Sequence, residues 1–325
     1  MSFARDARIE VLGNLCQNEC CKLAELSAIV HSSGEIQLSG GEMSIIIKTD
    51  MQQIYGIIND TLKRLYGDFA ELTLDEDLNI NKSVRYVITI PPGCSNRVLF
   101  DCGLAIINQQ GSFELIKGID EHIIESPCCA LSYIKGVFIT SSTAGIKIFD
   151  GESVENRKFS GYHLEFIFSV EEFADDFSAL LFSQGITSKK SQRKNIFVLY
   201  IKEAEQLSDL LAMVGAFKSV LKLQNEITVR QVRNNINRQN NCFAANVEKT
   251  ATAAMKQIMA IEKIKKVRGL ESLPDSLMKL SELRIKHPEE SIEGLAKLMG
   301  NVTKSGVNHQ LRKIVKIAEG LRQND

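Results

Sequence analysis

With 325 residues, 44% of them hydrophobic and 24% charged, the chain is long enough to hold two domains with cores of their own. Its apolar runs stay short of the roughly 18 residues a membrane helix needs, and Arg5, Asp6, Arg8 and Glu10 stand where a secretion signal would carry an apolar block, so neither a membrane span nor export is expected. The net charge of −1 hides an asymmetry: residues 1–225 hold 21 Lys+Arg against 29 Asp+Glu, whereas residues 226–325 hold 18 against 11, a basic segment of the kind a phosphate backbone attracts.

Residues 4–16 read as a short amphipathic helix. The next stretch, CCKLAELSAIVHSSG from Cys20 to Gly34, comes twice: CCALSYIKGVFITSS begins at Cys128, and the two align at a constant offset of 108 residues. The offset pairs Ala24, Ala28 and Ser32 with Ser132, Gly136 and Thr140. In each copy those three stand four residues apart, which makes one ridge of small residues along a helix. Leu26, Ile29 and Val30 flank the first ridge, and Ile134, Val137 and Phe138 the second. Flat ridges let two backbones come close, so the spacing predicts two helices packed face to face on a pseudo-two-fold axis. The pairs Cys20-Cys21 and Cys128-Cys129 lack metal-ligand spacing, and none of the five histidines stands at a suitable interval. They read as half-buried, reduced thiols in a first helical turn, with no metal and no cofactor.

After the first copy, Glu35–Leu38 and Ile45–Thr49 read as a hairpin around Ser39-Gly40-Gly41. Ile54, Ile57, Ile58, Leu62 and Leu65 have helical spacing up to Gly67. Phe69–Asp75 and Ser83–Ile90 alternate as strands, broken by Asp77–Asn81, and Pro91-Pro92-Gly93 precedes a helix expected from Ser95 to Ile107. The second copy predicts strands at Gly145–Phe149 and Tyr162–Val170, a helix at Glu171–Phe182, strands at Thr187–Lys190 and Ile196–Tyr200, and a helix at Glu203–Val214. That order gives an α+β domain over residues 1–223, with repeats at about 20–107 and 128–214 and one antiparallel sheet per half. Lys48, Lys82, Arg85, Lys147, Lys189, Lys190, Arg193 and Lys194 lie on or near strands. A solvated sheet face and a nucleic-acid contact are both open there.

Residues 224–248 read as a basic, Asn-rich hinge. Val229, Val232 and Ile236 mark one helical face; Arg230, Arg233, Asn234, Asn237 and Asn241 mark the other, with Arg238 beside them. Arg and Asn heads suit phosphates and groove edges, although a plain polar hinge would use the same residues. Residues 249–325 read as an all-α domain. Val247, Ala251, Ala254, Ile258 and Ile261 belong to a helix ending at Gly269, where Lys263, Lys265, Lys266 and Arg268 suit a helix C-terminus. Pro274 opens a helix that His287-Pro288 stops after Lys286. Ser291 caps a helix Ile292–Met299 with Ile292, Leu295, Ala296 and Met299 inward, and Gly300-Asn301-Val302 is the turn. Thr303 caps the last helix, with Val307, Leu311 and Ile314 inward and Lys304, Ser305, Asn308, His309, Arg312 and Lys313 available outward. This is a helix-turn-helix pattern, in which the second helix reads base edges with its N-terminal residues. A three-helix bundle serving protein contacts is the plainer alternative.

The small-residue helix ending in a turn resembles the LAGLIDADG motif of homing endonucleases, with Leu26–Gly34 and Ile134–Ser142 as its nine positions. The doubled Cys-Cys version, followed by a helix-turn-helix, is similar to the WhiA family of bacterial sporulation and cell-division regulators, as are the start MSFARDAR and the late string TKSGVNHQLRKI. The resemblance implies a duplicated LAGLIDADG-like domain with two antiparallel sheets, then a DNA-binding domain. In the enzymes an acidic residue at the base of each helix holds the catalytic metal ions. The matching positions here are Ser33 and Ser141, and Glu35 faces Thr143 at the same offset, so no carboxylate pair is available. The resulting expectation is a cytoplasmic, nucleoid-associated protein that is not an enzyme. It would bind double-stranded DNA at promoter or chromosomal sites and regulate transcription linked to cell division, chromosome segregation or sporulation. Other transcription factors are candidate partners of the N-terminal domain. The alternatives are a protein-interaction adaptor and a residual metal-dependent endonuclease.

Overall fold

A computed structural model describes residues 2–74, 85–145 and 162–321. The chain divides into two units, Met1–Val229 and Arg230–Asp325. In the first, α1 (Phe3–Leu12) is capped by the Ser2 hydroxyl, which accepts from the Arg5 N–H, and it buries Phe3, Ala4, Ala7 and Val11. α2 (Glu19–Ser33) then feeds a hairpin of β1 (Gly34–Ser39) and β2 (Glu42–Thr49), followed by α3 (Gln53–Tyr66), β3 (Glu71–Leu74), β4 (Tyr86–Ile90) and α4 (Pro92–Asp101). A small hairpin, β5 (Ala105–Ile107) and β6 (Phe113–Leu115), and the single turn α5 (Glu121–Ile124) lead to the second half. There α6 (Pro127–Ser141), β7 (Ser142–Ala144), β8 (Leu164–Phe168), α7 (Glu171–Ser183), β9 (Lys189–Arg193), β10 (Ile196–Ile201) and α8 (Ala204–Met213) repeat the order of the first.

The two large sheets have the same strand order, β1-β2-β4-β3 and β7-β8-β10-β9, and every pairing is antiparallel. Alternation decides which face is buried. Ile45 pairs with Ile90 and Ile47 with Ile88, and all four are fully buried. Phe166 pairs with Leu199 and Leu164 with Ile201, again all buried. An antiparallel sheet with one wet face needs this period-two pattern.

Two expectations for this unit are corrected. The helix expected to Ile107 ends at Asp101, and Ala105–Ile107 forms a strand. Gly103 takes the left-handed conformation (φ +64°), and the Leu104 N–H turns back to the Leu99 carbonyl at 2.8 Å, a glycine stop that apolar periodicity alone does not register. The strand expected at Thr187–Lys190 lies at Lys189–Arg193 instead. The break Asp77–Asn81, the ends of the strands placed at Ser83 and Ile146–Phe149, and the cations Lys82 and Lys147 lie outside the described residues.

At the centre α2 and α6 run side by side in the same direction. Ala24, Ala28, Ser132 and Gly136 face the contact, with Ala28 and Ala24 at most 1% exposed. A Cβ placed on Gly136 would lie 2.6 Å from the Ala28 Cβ and 2.9 Å from the Glu25 carbonyl oxygen, so the backbones already touch there. Further along, the Ser32 and Thr140 hydroxyls share a 2.6 Å hydrogen bond, and each also reaches its own helix's carbonyl four residues back. The pseudo-two-fold pairing is thus the 108-residue offset realised in space.

α9 (Phe217–Arg268) is one continuous helix of 52 residues containing the boundary between the units. Residues 224–248 are therefore helical throughout, without a break before the helix expected to follow them. Val229, Val232, Ile236 and Val247 are about half exposed; Ser219, Leu223 and Glu226 near the start of the helix are buried, and burial resumes at Ala254. In the second unit a 3-10 turn at Leu270–Ser272 leads to α10 (Asp275–Lys286), α11 (Ile292–Met299) and α12 (Lys304–Gly320). Ile261 and Ile264 of α9 pack there with Leu277, Leu280, Leu295, Val307, Leu311 and Ile314.

Gly136→Ala should destabilise the N-terminal unit by about 1–3 kcal/mol, because a backbone carbonyl cannot move aside for the added methyl. Gly56→Ala, in α3 with nothing within 4 Å of the new Cβ, should instead stabilise it by about 0.5–1 kcal/mol. Denaturant unfolding followed by tyrosine fluorescence reads this unit alone, since all six tyrosines precede residue 201 and the chain has no tryptophan.

Candidate nucleic-acid interface

α11 and α12 form from strong local signals. The Ser291 hydroxyl accepts from the Gly294 N–H at 3.0 Å, and the Thr303 hydroxyl accepts from the Gly306 N–H at 3.2 Å, so both helices carry the side-chain caps their sequences specify. Val307, Leu311, Ile314 and Ala318 face the core, which fixes the outward face of α12. Lys304, Ser305, His309, Arg312 and Lys313 are exposed on it, and Asn308 is half-buried.

The loop before α11 is held by a residue the sequence reading passed over. Arg284, 1% exposed on α10, donates from Nη1 to the carbonyl oxygens of Glu290 (2.7 Å), His287 and Pro288 (3.4 Å each). Burial lowers its pKa, opposed by Glu290 and Glu289. A guanidinium that satisfies three loop carbonyls sets where α11 begins. Glu293 is the other unforeseen residue. Its carboxylate lies 3.5 Å from the Lys304 ammonium and 3.9 Å from that of Lys297, which puts one acidic group beside the cations of this face.

Arg230 and Arg233 on α9 are half-buried, whereas Asn234, Asn237 and Arg238 are exposed. On the sheets, Lys190 pairs with Glu171 and Asp175, Arg193 with Glu165 at 3.1 Å, and Lys48 with Glu35 at 3.9 Å. Much of the cationic charge singled out on the strands is therefore already opposed by neighbouring carboxylates.

The base of the helix pair is built from hydroxyls. Ser33 donates to the Ile29 carbonyl at 2.7 Å and ends α2 as Ser141 ends α6. Nearby, half-buried His31 is held on three sides: Nδ1 lies 2.9 Å from the Tyr133 hydroxyl on α6, Nε2 lies 3.2 Å from the Lys117 carbonyl oxygen, and the ring stacks on Phe173 of α7 at 3.7 Å. Burial holds its pKa down to about 4. Glu25, 2% exposed in the same interface, is pushed up to about 7 by burial, against the pull of Lys22 and Lys135.

At the opposite end of the pair the cysteines meet. The Sγ atoms of Cys20, Cys21, Cys128 and Cys129 all lie within 4.8 Å of one another, with Cys21 and Cys129 buried and Cys20 and Cys128 exposed. Each pair alone has no ligand spacing; the pseudo-two-fold packing assembles them. Among the described residues this is the group of three or more potential metal ligands that comes together.

Three family models cover most of the chain. The WhiA N-terminal LAGLIDADG-like domain matches residues 19–105, the WhiA LAGLIDADG-like domain matches 132–233, and the WhiA C-terminal HTH domain matches 236–318. A probable cell division protein WhiA from Brevibacillus brevis is 34% identical over 325 residues, 99% of this chain and 98% of that protein. Its counterpart from Clostridium botulinum is 36% identical over 324 residues, 99% of each. The crystal structure of full-length DUF199/WhiA from Thermatoga maritima has the same fold, with a TM-score of 0.58 at 21% identity over the whole of both chains.

The two buried titrating groups oppose each other. The ordinary imidazole value is 6.5, so the unfolded chain protonates His31 first; its contribution is intact above that pH and is lost as pH falls toward 4. The folded form holds the Glu25 proton from its ordinary 4.5 up to about 7, so that contribution is full below pH 4.5 and is lost as pH rises through 7. Each shift corresponds to about 3 kcal/mol, and between pH 4.5 and 6.5 they nearly cancel. Glu25→Gln should therefore make the N-terminal unit lose stability across that window on acidification, and His31→Gln should make it gain. Urea midpoints at a series of pH values check the two opposite slopes.

Proposed function

The chain belongs to the WhiA family, and on that premise we propose that it is a sequence-specific, double-stranded-DNA-binding regulator of bacterial cell division without nuclease activity. The observation that carries this reading is the outward face of α12, an exposed set of hydrogen-bonding and cationic side chains at the start of a capped second helix. In this arrangement the N-terminal turns of α12 enter the major groove and α11 crosses the backbone. Arg312 can make paired hydrogen bonds to guanine, and Asn308 can do so to adenine where its half-burial leaves the amide free. Lys304, Ser305, His309, Lys313 and the caps Ser291 and Thr303 would position the helix on phosphates. Arg230, Arg233, Asn234, Asn237 and Arg238 would add backbone contacts from α9, the segment first read as residues 224–248 of a hinge. The protein would act on the nucleoid, at promoters or other chromosomal sites, with chromosome segregation and sporulation as linked processes. Its LAGLIDADG-like domain, residues 1–223, would be the surface that other transcription factors engage.

Nuclease chemistry has no support at the base of the helices, where hydroxyls of Ser33 and Ser141 replace the carboxylates that hard divalent ions require. Supercoiled and linear DNA should stay intact on incubation with the protein and magnesium or manganese. Cleavage that disappears in a Ser33→Ala, Ser141→Ala double variant would reverse that expectation.

Reading and positioning separate on α12. Arg312→Ala should cost about 1–3 kcal/mol on the cognate site and flatten preference at one base pair. Lys304→Ala should weaken all sequences alike and reduce the salt slope by about one. Glu293→Gln, which frees Lys304 and removes a negative charge from this face, should tighten binding to all sequences by up to about 1 kcal/mol. Binding isotherms on genomic and random fragments at several salt concentrations check all three; equal losses on cognate and random DNA for Arg312→Ala would remove base reading from this face.

A further inference from the structure

We propose that Cys20, Cys21, Cys128 and Cys129 form a four-thiolate site for a single zinc-class ion that clasps the two halves of the N-terminal unit together. Each half supplies one adjacent pair, so neither half can form the site by itself. With zinc–sulfur bonds of about 2.3 Å, the sulfurs of a tetrahedral site lie about 3.8 Å apart. Here the four sulfurs are mutually within 4.8 Å, and those of Cys20 and Cys21 are 4.0 Å apart, so closing on one ion requires only small side-chain rotations. A multi-iron cluster would hold its sulfurs farther apart, which favours a single ion.

Adjacent residues on a helix normally point about a quarter-turn or more apart. In the first turn, however, side chains lean toward the N-terminus and overhang the helix end, so neighbouring sulfurs can converge on a point beyond it. Both pairs are in such turns, since α2 starts at Glu19 and α6 at Pro127. Two helix N-termini directed at the same place favour the excess negative charge of four thiolates around a divalent ion. The N-cap residues Asn18 and Ser126 make no side-chain cap hydrogen bond. Four soft ligands select a thiophilic ion over magnesium or calcium. Cys20 and Cys128 are exposed, so an ion can enter from solvent while Cys21 and Cys129 complete its inner side. The ion lies at the end of the helix pair away from Ser33 and Ser141, and its role is structural, joining the halves where α2 and α6 begin. This inference stands independently of the DNA-binding proposal.

The test uses the full chain, reduced, stripped with a chelator and retitrated with zinc or cobalt alone. About one ion per chain should bind, the cobalt form should show the strong ligand-field and thiolate-to-metal bands of tetrahedral sulfur coordination, and zinc should raise the tyrosine-monitored melting temperature. A Cys20→Ser, Cys128→Ser variant changes two exposed positions and leaves the buried cysteines in the core. It should keep its far-ultraviolet circular dichroism but lose about two orders of magnitude or more in affinity, together with the thermal gain. Cys242→Ser, exposed on α9, should bind like the parent. Absence of metal binding by the reduced parent, undiminished binding by the double variant, or a cobalt spectrum without thiolate bands would each overturn the proposal.

Discussion

Everything in the N-terminal unit depends on how closely α2 and α6 approach. At Gly136 the separation leaves no room for a methyl group, and at Ser32 and Thr140 it is short enough for two hydroxyls to bond across the axis. Dispersion falls off steeply with distance, so a small-residue seam gains by contact what it lacks in side-chain area. Leu26, Ile29 and Val30, with Ile134, Val137 and Phe138, then fill the space on either side of the seam, all at most 5% exposed. The two sheets with their identical strand order follow from the same symmetry, because each is fed directly by the C-terminus of one of the paired helices.

The seam also decides what chemistry its two ends can do. At the C-terminal end, the helices finish on serines, and the Ser33 hydroxyl bonds back to the Ile29 carbonyl. Along the seam, desolvation shifts His31 down and Glu25 up, so that burial favours the uncharged form of each. At the N-terminal end, the thiols collect where two helix dipoles point outward. One packing arrangement thus sets three different environments along about four helical turns.

The second unit follows a different logic. Its core is small, and its helices are placed by capping and by the Arg284 guanidinium rather than by a wide packed layer. A buried arginine that bonds three carbonyls orders the loop before α11, and the outward face of α12 is defined by the regular inward spacing of Val307, Leu311, Ile314 and Ala318. The carboxylate of Glu293 moderates the charge of that face, a balance that net charge counted over a hundred residues does not disclose.

The sequence by itself determined the duplication, the two antiparallel sheets, the small-residue seam and the capped helices of the C-terminal unit. These rest on local or strictly periodic signals: a constant offset, alternation by two, spacing by three and four, and a hydroxyl three residues before the N–H it caps. Only the tertiary structure decided what depends on residues distant in the chain. The glycine stop that turns residues 105–107 into a strand was there to be read, but its weight against the apolar periodicity was settled by the hairpin it enters. The continuity of α9 through an amide-rich stretch has no local signature, since Asn is unfavourable in a helix by only a few tenths of a kcal/mol to about 0.7 kcal/mol per residue. Most of all, two cysteine pairs 108 residues apart carry no ligand spacing along the chain. They become a set of four only where the packing of two helices brings their first turns together, because coordination is a property of positions in space.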